Sequence, residues 1–395
     1  MTHINNSLEI PDTDTYWPHA SEQFLLNGSQ DERHPHPDHY VYSDVSDYFD
    51  DLINNTFFYQ DYGFEEIMYI SFWTLLVIIT ASANVLIIAV FVRKRLRTPN
   101  NIILLLIAIS DSLTGLVTLP TYLYVFTIFT HDIHSLNDRW CKAYFISTFY
   151  ISKAFHAISI WQTLLLGFQR FCCIWFPFKT KSWFTTRRTL IEIAVITICA
   201  FVIQSYHLTQ LKENKLLCKW NIEHPCVESC IFMWITLLLI HILPSGFLLV
   251  LTILIIHKLF NRPIRKEHIS AEQSRGRDQQ NKRASIIVVC IAIIVLIPEI
   301  PYGIFLLMTV IKRHSSNYML DIEATRRFHI IYAMAMLLSF HANFWVYIIV
   351  NRRFRDELKS MFLDIKRKLQ SKCTTDPFND VSMEMGPTNL IALIM

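Results

Sequence analysis

Seven long apolar segments constrain this chain more than any other feature of its sequence. Each is long enough to cross a hydrocarbon core of ~30 Å as a helix, which satisfies its own backbone hydrogen bonds in lipid. The segments lie near residues 68–92, 101–129, 143–176, 189–211, 230–257, 284–311 and 328–350. The sequence therefore predicts an all-α membrane protein built as a seven-transmembrane helix bundle.

The overall composition agrees with a chain that lies in a bilayer. Of its 395 residues, 52% are hydrophobic and only 17% are charged, which is too apolar for a water-soluble domain of this length. A net charge of +3 and only eight glycines give no basis for a nucleic-acid surface or a glycine-rich phosphate loop. We therefore expect the lipid bilayer among its partners, and no nucleic acid.

Lysine and arginine crowd the loops at one end of the predicted bundle, which indicates that this end is cytoplasmic. The N-terminal 66 residues instead contain 14 Asp or Glu and one Arg. They also contain three glycosylation sequons, at Asn5, Asn27 and Asn54. We therefore predict a multi-pass protein of the plasma membrane with an extracellular N-terminus, inserted by its first span because no cleavable signal sequence opens the chain.

The chain divides into four predicted parts. Residues 1–66 are predicted to form an acidic, glycosylated extracellular tail that is disordered, and residues 67–350 to form the bundle. Residues 351–370 are predicted to form an amphipathic juxtamembrane helix, and residues 371–395 a cytoplasmic tail. The apolar positions of the amphipathic helix recur with helical spacing, which predicts a helix on the inner leaflet. They are Phe354, Leu358, Met361, Phe362, Ile365 and Leu369. Cys373 follows closely and is a candidate for palmitoylation, although a lone tail cysteine is more often unmodified.

Four cysteines lie on the predicted extracellular side, where oxidation is permitted. They are Cys141, Cys218, Cys226 and Cys230, and they allow three connectivities. We favour a disulfide between Cys141 and Cys218, because it ties the third span to the long loop before the fifth and restricts that loop at the mouth of the bundle. A second pair, Cys226 with Cys230, is a weaker candidate.

Asp111 is the clearest of the ionisable residues inside the predicted spans, where a charge costs at least ~2.5–3.5 kcal/mol. Polar residues on neighbouring spans offer it an oxygen-lined pocket for a hydrated Na⁺ or a shared proton. These residues are Asn84, Ser159, Ser339 and Asn343. The alternative is a protonated Asp111 that only joins helices.

Three further ionisable residues are candidate ligand contacts. Lys153 and His156 lie about one turn apart in the third span, and Glu299 lies between two prolines in the sixth. An equally weighted alternative for His156 is a hydrogen bond that only joins two helices. Glu299 at such a bend is a plausible switch.

Several motifs in this order resemble those of the rhodopsin-like G-protein-coupled receptors, from about residue 68 to 369. They are Asn84, Leu106–Ile107–Ala108–Ile109–Ser110–Asp111, Trp140–Cys141, Gln169–Arg170–Phe171, Pro244, Pro301 and Asn343–Phe344–Trp345–Val346–Tyr347. The sequence departs from the family at Gln169, where an acid is usual, at Phe344, where proline is usual, and at Glu299, where tryptophan is usual. In these departures and in the motifs around His156, His241 and Glu299, the sequence resembles invertebrate neuropeptide receptors of the sex-peptide, myosuppressin and FMRFamide type.

The resemblance implies a receptor that is not an enzyme and needs no cofactor. Its ligand would be a short amidated peptide, such as one ending in Arg-Phe-amide, and its partners a heterotrimeric G protein, arrestin and a receptor kinase. Arg170, Gln169 and Tyr347 would serve G-protein coupling. Because Gln169 replaces the usual acid, the usual ionic restraint on Arg170 is absent.

Three other classes of seven-span protein would require features of their own in the sequence. A retinal-binding light receptor needs a lysine in the last span, and residues 328–350 contain none. An intramembrane hydrolase would need paired metal or catalytic residues, and the span histidines lack such spacing. A transporter would be expected to show an internal repeat, and none is seen between the two halves of the sequence. The hydrolase and the transporter remain the alternatives.

Overall fold

The computed structural model describes residues 64, 67–93, 98–128, 138–210, 228–261, 271–314 and 322–374. The three sequons and Cys218 lie outside these residues, as does most of the predicted extracellular tail. Glycosylation and the Cys141–Cys218 pair therefore stay predictions, and so does palmitoylation of Cys373.

Seven helices of the described residues are long and apolar enough to cross a membrane, which confirms the predicted bundle. Spans 1 to 7 are Met68–Phe91, Pro99–Thr127, Arg139–Trp175, Thr186–Leu208, Ile231–Phe260, Gln279–Lys312 and Ala324–Val350. No strand occurs in the described part of the chain.

Some spans are interrupted or contain a wider π-helical turn. Span 1 contains the helices Met68–Trp73 and Thr74–Phe91, and span 2 contains Pro99–Leu116 and Leu119–Ile128. Span 3 contains Asp138–Phe145, Ile146–Ile151 and Ser152–Trp175, and span 4 contains Thr186–Gln204 and Tyr206–Gln210. Span 5 contains Glu228–Thr236, Leu237–Ile242 and Leu243–Phe260, whereas spans 6 and 7 lie in the single helices Ala271–His314 and Ile322–Val350. The wide turns are Met68–Trp73, Ile146–Ile151 and Leu237–Ile242. Such turns are frequent at functional sites, and one of them contains His241.

Local sequence explains where two of the spans begin. Thr98 caps span 2 by accepting a hydrogen bond from the backbone N–H of Asn101 at 3.3 Å, and Pro99 occupies the first helical position. Thr185 caps span 4 in the same way, accepting from the N–H of Arg188 at 3.4 Å. Each cap satisfies a donor that the first turn of a helix leaves unpaired.

Large apolar side chains remain exposed on the outside of the bundle. Val202 in span 4 and Ile297 in span 6 are 65% and 67% exposed. In water, apolar area of this extent would be strongly unfavourable, whereas lipid tails solvate it. The exposed surface therefore fits a bundle surrounded by hydrocarbon.

Gly115 lets span 2 pack closely against spans 1 and 7. A Cβ at this position would lie 2.9 Å from Val77 Cγ2 and 3.2 Å from Leu337 Cδ2. Both distances are shorter than ordinary van der Waals contact, so the neighbours would have to move.

We expect Gly115→Ala to destabilise the bundle by about 1–3 kcal/mol, the usual cost of overpacking a close contact. Thermal unfolding of the detergent-solubilised protein measures the effect. Gly246→Ala is the matched control, because a Cβ there would meet nothing within 4 Å. Equal unfolding temperatures for the two variants would contradict the close contact at Gly115.

A further helix, Arg352–Thr374, follows span 7 where the amphipathic helix was predicted. Phe354 is fully buried and Leu358 packs beside it on the bundle, whereas Phe362, Ile365 and Leu369 stay exposed. The exposed apolar residues are suited to a lipid surface.

Arg93, just beyond span 1, links the bundle to this C-terminal helix. Its guanidinium lies 3.0 Å from Asp364 Oδ2 and 3.2 Å from Glu357 Oε2. The hydrogen bond to Asp364 raises the pKa of Arg93 above its ordinary value. Partly exposed ion pairs such as these contribute only ~0–1 kcal/mol each, so they orient the helix more than they stabilise it.

Candidate functional site

Four buried polar side chains from four spans meet in the bundle. We call them the Glu299 cluster: His156 of span 3, His241 of span 5, Glu299 of span 6 and Tyr332 of span 7. His156 Nε2 lies 3.1 Å from Glu299 Oε1, and His241 Nδ1 lies 2.9 Å from Glu299 Oε2. Tyr332 donates its hydroxyl proton to Glu299 Oε1 at 2.6 Å. Both carboxylate oxygens of Glu299 are therefore hydrogen-bonded.

The Glu299 carboxylate is fully enclosed, with no exposed side-chain surface. An enclosed carboxylate is strongly unfavourable unless positive charge or several donors compensate it. His241 and the Tyr332 hydroxyl supply hydrogen bonds to the carboxylate, and His156 Nε2 lies near it and 3.0 Å from the Tyr332 hydroxyl. Because they come from four spans, the carboxylate joins the packing of all four.

The local sequence explains how two members of the cluster reach the interior. His241 lies in the wide turn Leu237–Ile242, three residues before Pro244. Glu299 lies between Pro298 and Pro301, both inside the helix of span 6. A proline within a helix removes a backbone hydrogen bond and favours a bend.

Aromatic rings surround the Glu299 cluster. Tyr332 stacks on Tyr302 with ring centroids 3.5 Å apart and an angle of 4° between the planes. The Tyr302 hydroxyl lies 3.0 Å from Nδ1 of His329 in span 7. The rings hold spans 6 and 7 together next to the carboxylate.

The structure brings the predicted contacts His156 and Glu299 together and places Lys153 near them. Lys153 is half-buried one turn from His156 and interacts electrostatically with Glu299, although no direct ion pair joins the two. Sequence reasoning missed His241, Tyr332 and Tyr302 as members of this site. The sequence does contain a signal for these residues, which is a polar or ionisable side chain in an apolar span. For His241, the sequence analysis relates this signal only to hydrolase chemistry and to a family motif.

Asp111 forms a second buried polar cluster with two of the four residues that the sequence analysis placed around it. Ser159 Oγ donates to Asp111 Oδ1, and Asn343 Nδ2 donates to Asp111 Oδ2 at 3.1 Å. Ser339 does not bond to Asp111, because its hydroxyl donates to the backbone oxygen of Met336 at 2.7 Å. Asn84 is fully buried and does not bond to Asp111 either.

The residues of this second cluster fit a hydrated monovalent cation. Both side-chain polar atoms of Asn84 and the Oδ1 of Asn343 are buried without a hydrogen-bond partner. Unpaired amide oxygens and a carboxylate are the ligands that hard cations prefer. The donor set therefore suits Na⁺, as does the single formal charge of Asp111.

Arg170 lies at the opposite end of span 3 from Cys141. Its Nε is buried without a hydrogen-bond partner, and no ion pair joins it to a described residue. Gln169 does not restrain it, because the Gln169 amide donates to Thr189 Oγ1 of span 4 at 3.2 Å. No carboxylate of the described residues therefore holds the arginine in place.

Tyr347 packs in an aromatic group at the Arg170 end of the bundle. Its ring centroid lies 5.5 Å from that of Phe91 and 5.6 Å from that of Phe354. The structure thus uses Tyr347 to join spans 1 and 7 to the C-terminal helix. No hydrogen bond between Tyr347 and Arg170 is found among the described residues.

Cys141 is disulfide-bonded. Four other cysteines, Cys172, Cys173, Cys199 and Cys290, are free. These observations are consistent with the predicted Cys141–Cys218 pair, which stays a prediction.

Comparison with known proteins identifies the class that this bundle represents. Residues 83–347 match the model of the seven-transmembrane receptors of the rhodopsin family. The chain therefore belongs to that family, which confirms the resemblance drawn from its motifs.

Individual relatives cover most of the chain. Sex peptide receptor-related protein 2 of Caenorhabditis elegans is 27% identical over 338 residues, which span 78% of this chain and 74% of the relative. The sex peptide receptor of Drosophila melanogaster is 26% identical over 73% of this chain and 71% of its own. Neuropeptide FF receptor 1 of Rattus norvegicus is 23% identical over 77% of this chain and 72% of its own.

Proposed function

We propose that this chain is a G-protein-coupled receptor for a short peptide. Its membership of the rhodopsin family supports receptor function, and the similarity to relatives named as sex peptide and neuropeptide FF receptors supports a peptide ligand. The single observation that carries the proposal is that the rhodopsin-family model matches nearly the whole bundle, over residues 83–347. A hydrolase or a transporter with seven spans receives no support from these similarities.

The proposed orientation places the N-terminus outside the cell and Arg170 inside. The distribution of lysine and arginine supports it, because cytoplasmic loops of plasma-membrane proteins are enriched in both. The Cys141 end of the bundle then faces the peptide. A disulfide between Cys141 and Cys218 would hold the loop before span 5 across that end.

We place the peptide against Lys153, His156 and Glu299. A cationic group of the peptide, such as the guanidinium of an Arg-Phe-amide terminus, is complementary to the Glu299 carboxylate. To reach it, the guanidinium must displace at least one donor of the Glu299 cluster. Binding would then loosen contacts between spans 3, 5, 6 and 7.

This competition provides a mechanism for switching. A ligand that shifts a resting equilibrium of 1:99 to 99:1 must prefer the active packing by ~5.5 kcal/mol. A new charge-assisted hydrogen bond contributes ~1.5–3 kcal/mol, so the rest must come from further contacts of the peptide. The Lys153 side chain and the disulfide-held mouth are suited to provide them.

The Arg170 end would bind the G protein. An arginine without a carboxylate partner presents five donors to an incoming helix, whose last carbonyls are unpaired. Gln169 and Tyr347 would act by positioning span 3 and span 7 around it. Arrestin and a receptor kinase are further proposed partners of the same end of the bundle.

A peptide screen tests the proposed function. Cells that express the chain with a promiscuous G protein are exposed to amidated peptides with different C-terminal residues, and calcium release is recorded. Cells without the chain are the control. We expect calcium release in response to a peptide only in cells that express the chain. If the chain responds to amines and none of the peptides activates it, the proposal is contradicted.

Asp111→Asn should abolish the sodium dependence of agonist affinity. In the unaltered receptor, coupling of 1–3 kcal/mol would make agonist binding about 5-fold or more weaker in sodium than in a bulky organic cation. Without the carboxylate charge, we expect the two affinities to agree within about two-fold.

Radioligand competition in the two salts measures this effect. Ser112→Ala is the matched control, since Ser112 is buried on the same span and donates only to the backbone oxygen of Ala108. Unchanged sodium dependence in Asp111→Asn would show that Asp111 only joins helices.

A further inference from the structure

Three potential metal ligands from three spans converge in the Glu299 cluster. One nitrogen of His156, one nitrogen of His241 and one oxygen of Glu299 lie within 4.8 Å of one another, and all three residues are buried. We propose that these side chains form a binding site for Zn²⁺ or a similar transition-metal ion. The ion would link spans 3, 5 and 6.

The distances are close to those that a tetrahedral ion requires. Zn²⁺ binds histidine nitrogen and carboxylate oxygen at about 2.0–2.2 Å, so ligand atoms around it are roughly 3.3–3.5 Å apart. In the cluster, His156 Nε2 lies 3.1 Å from Glu299 Oε1, and His241 Nδ1 lies 2.9 Å from Glu299 Oε2. Because these contacts use different oxygens of Glu299, the side chains must rotate until one atom of each residue faces the ion, starting from atoms that lie within 4.8 Å of one another.

The ligand types select the metal. Two imidazoles and one carboxylate suit Zn²⁺, Co²⁺, Ni²⁺ and Cu²⁺, whereas Mg²⁺ and Na⁺ prefer oxygen ligands alone. Two histidines with one glutamate are a known zinc set that leaves a fourth position for water or another donor. The site is thus chemically distinct from the oxygen-rich cluster at Asp111.

The neighbours of the three ligands bear on affinity in opposite directions. The Tyr332 hydroxyl donates to Glu299 Oε1 at 2.6 Å and would orient the carboxylate as an outer partner of the ion. A dication also compensates the charge of an enclosed carboxylate. Lys153 opposes binding, because its ammonium group is attracted to the same carboxylate and would repel the dication there.

Proton accounting is simple in this site. In the ion's absence, His241 Nδ1 is hydrogen-bonded to Glu299 and His156 Nε2 to the Tyr332 hydroxyl. On metal binding, a neutral imidazole carries its proton on the other ring nitrogen and offers a lone pair to the ion. A protonated imidazole instead releases one proton to solvent. No oxidation or reduction is involved.

The bound ion would oppose the peptide. Under the proposed function, the peptide's guanidinium draws Glu299 away from its histidines, whereas the ion holds the three together. By linkage, each would lower the affinity of the other by the same factor. This consequence rests on the proposed function, but metal binding itself does not.

Cobalt spectroscopy on the purified full-length chain tests the site without any peptide. Tetrahedral Co²⁺ gives strong visible absorption, and Zn²⁺ added afterwards should displace it. We expect such absorption in the unaltered chain and a loss of affinity on the order of 100-fold in His241→Gln. His341→Gln is the matched control, because His341 is a histidine of span 7 that hydrogen-bonds to Trp345 outside the cluster.

The design separates this site from other histidines and from misfolding. The N-terminal tail contains several histidines, so the difference between variants is the readout and the total metal content is not. Glu299→Gln serves as a second variant if His241→Gln does not yield a monodisperse protein. Weak octahedral Co²⁺ absorption in the unaltered chain, or equal affinity in both cluster variants and the control, would overturn the proposal. Because no peptide is present, neither result depends on the ligand of the receptor.

Discussion

Arg170→Ala should abolish G-protein activation while peptide affinity measured without G protein stays within a few-fold of the unaltered receptor. The guanidinium is the group we propose to meet the C-terminal carbonyls of the G-protein helix, and alanine removes all five of its donors. Arg170→Lys should recover little activity, because an ammonium keeps the charge but not the planar arrangement of donors.

Nucleotide exchange on the G protein and radioligand binding measure the two effects separately. Arg187→Ala is the matched control, since Arg187 is an exposed arginine near the start of span 4 at the same end of the bundle. Surface expression must be recorded for each variant. Normal signalling per surface receptor in Arg170→Ala would show that this arginine only anchors span 3 at the interface.

Glu299→Gln should weaken binding of an arginine-containing peptide on the order of 10- to 100-fold, the equivalent of losing one charge-assisted hydrogen bond. Glutamine is nearly the same size, so the packing of span 6 is preserved. Its amide also brings a donor toward two imidazoles, which can adjust by changing tautomer.

A double-mutant cycle separates ligand contact from helix packing. A peptide with citrulline in place of arginine keeps the shape and loses the charge. If Glu299 contacts the guanidinium, this peptide should bind Glu299→Gln no more weakly than it binds the unaltered receptor. Fully additive losses would contradict the contact and leave Glu299 as a link between spans. Glu192→Gln in span 4 is the control and should leave both affinities unchanged.

Glu299→Ala has a different expected outcome from Glu299→Gln. Alanine removes the acceptor of His241 and Tyr332, whereas His156 Nε2 keeps the Tyr332 hydroxyl at 3.0 Å. A buried group left unpaired costs about 1–3 kcal/mol. Poor surface expression of Glu299→Ala is therefore expected, and it carries no information about the ligand.

The hydrogen bond between Gln169 and Thr189 shows that Gln169 does not hold Arg170 in place. The sequence predicted that the ionic restraint would be absent, because Gln169 replaces an acid. The structure adds that the amide points to span 4 and leaves its Oε1 unpaired. Among the described residues, the contacts that join helices through Gln169 and Tyr347 at this end are neutral: the Gln169–Thr189 hydrogen bond and the packing of the Tyr347 aromatic group.

The sequence by itself determined the seven spans and the C-terminal helix. A run of about 20 apolar residues has few alternatives to a membrane helix, since lipid supplies no hydrogen-bond partners to the backbone. It also indicated the contact of Asp111 with Ser159 and Asn343, since an ionisable group inside a span requires polar neighbours.

Only the tertiary structure decided which polar groups meet. The helical period places a residue on a face of its own helix, but it does not set how far each helix is rotated or shifted against the others. His241 and Tyr332 reach Glu299, whereas Ser339 turns back to its own backbone, because these rotations follow from packing across the whole bundle. For the same reason the convergence of two imidazoles on one carboxylate, and the metal site proposed from it, could not be derived from spacing along the chain.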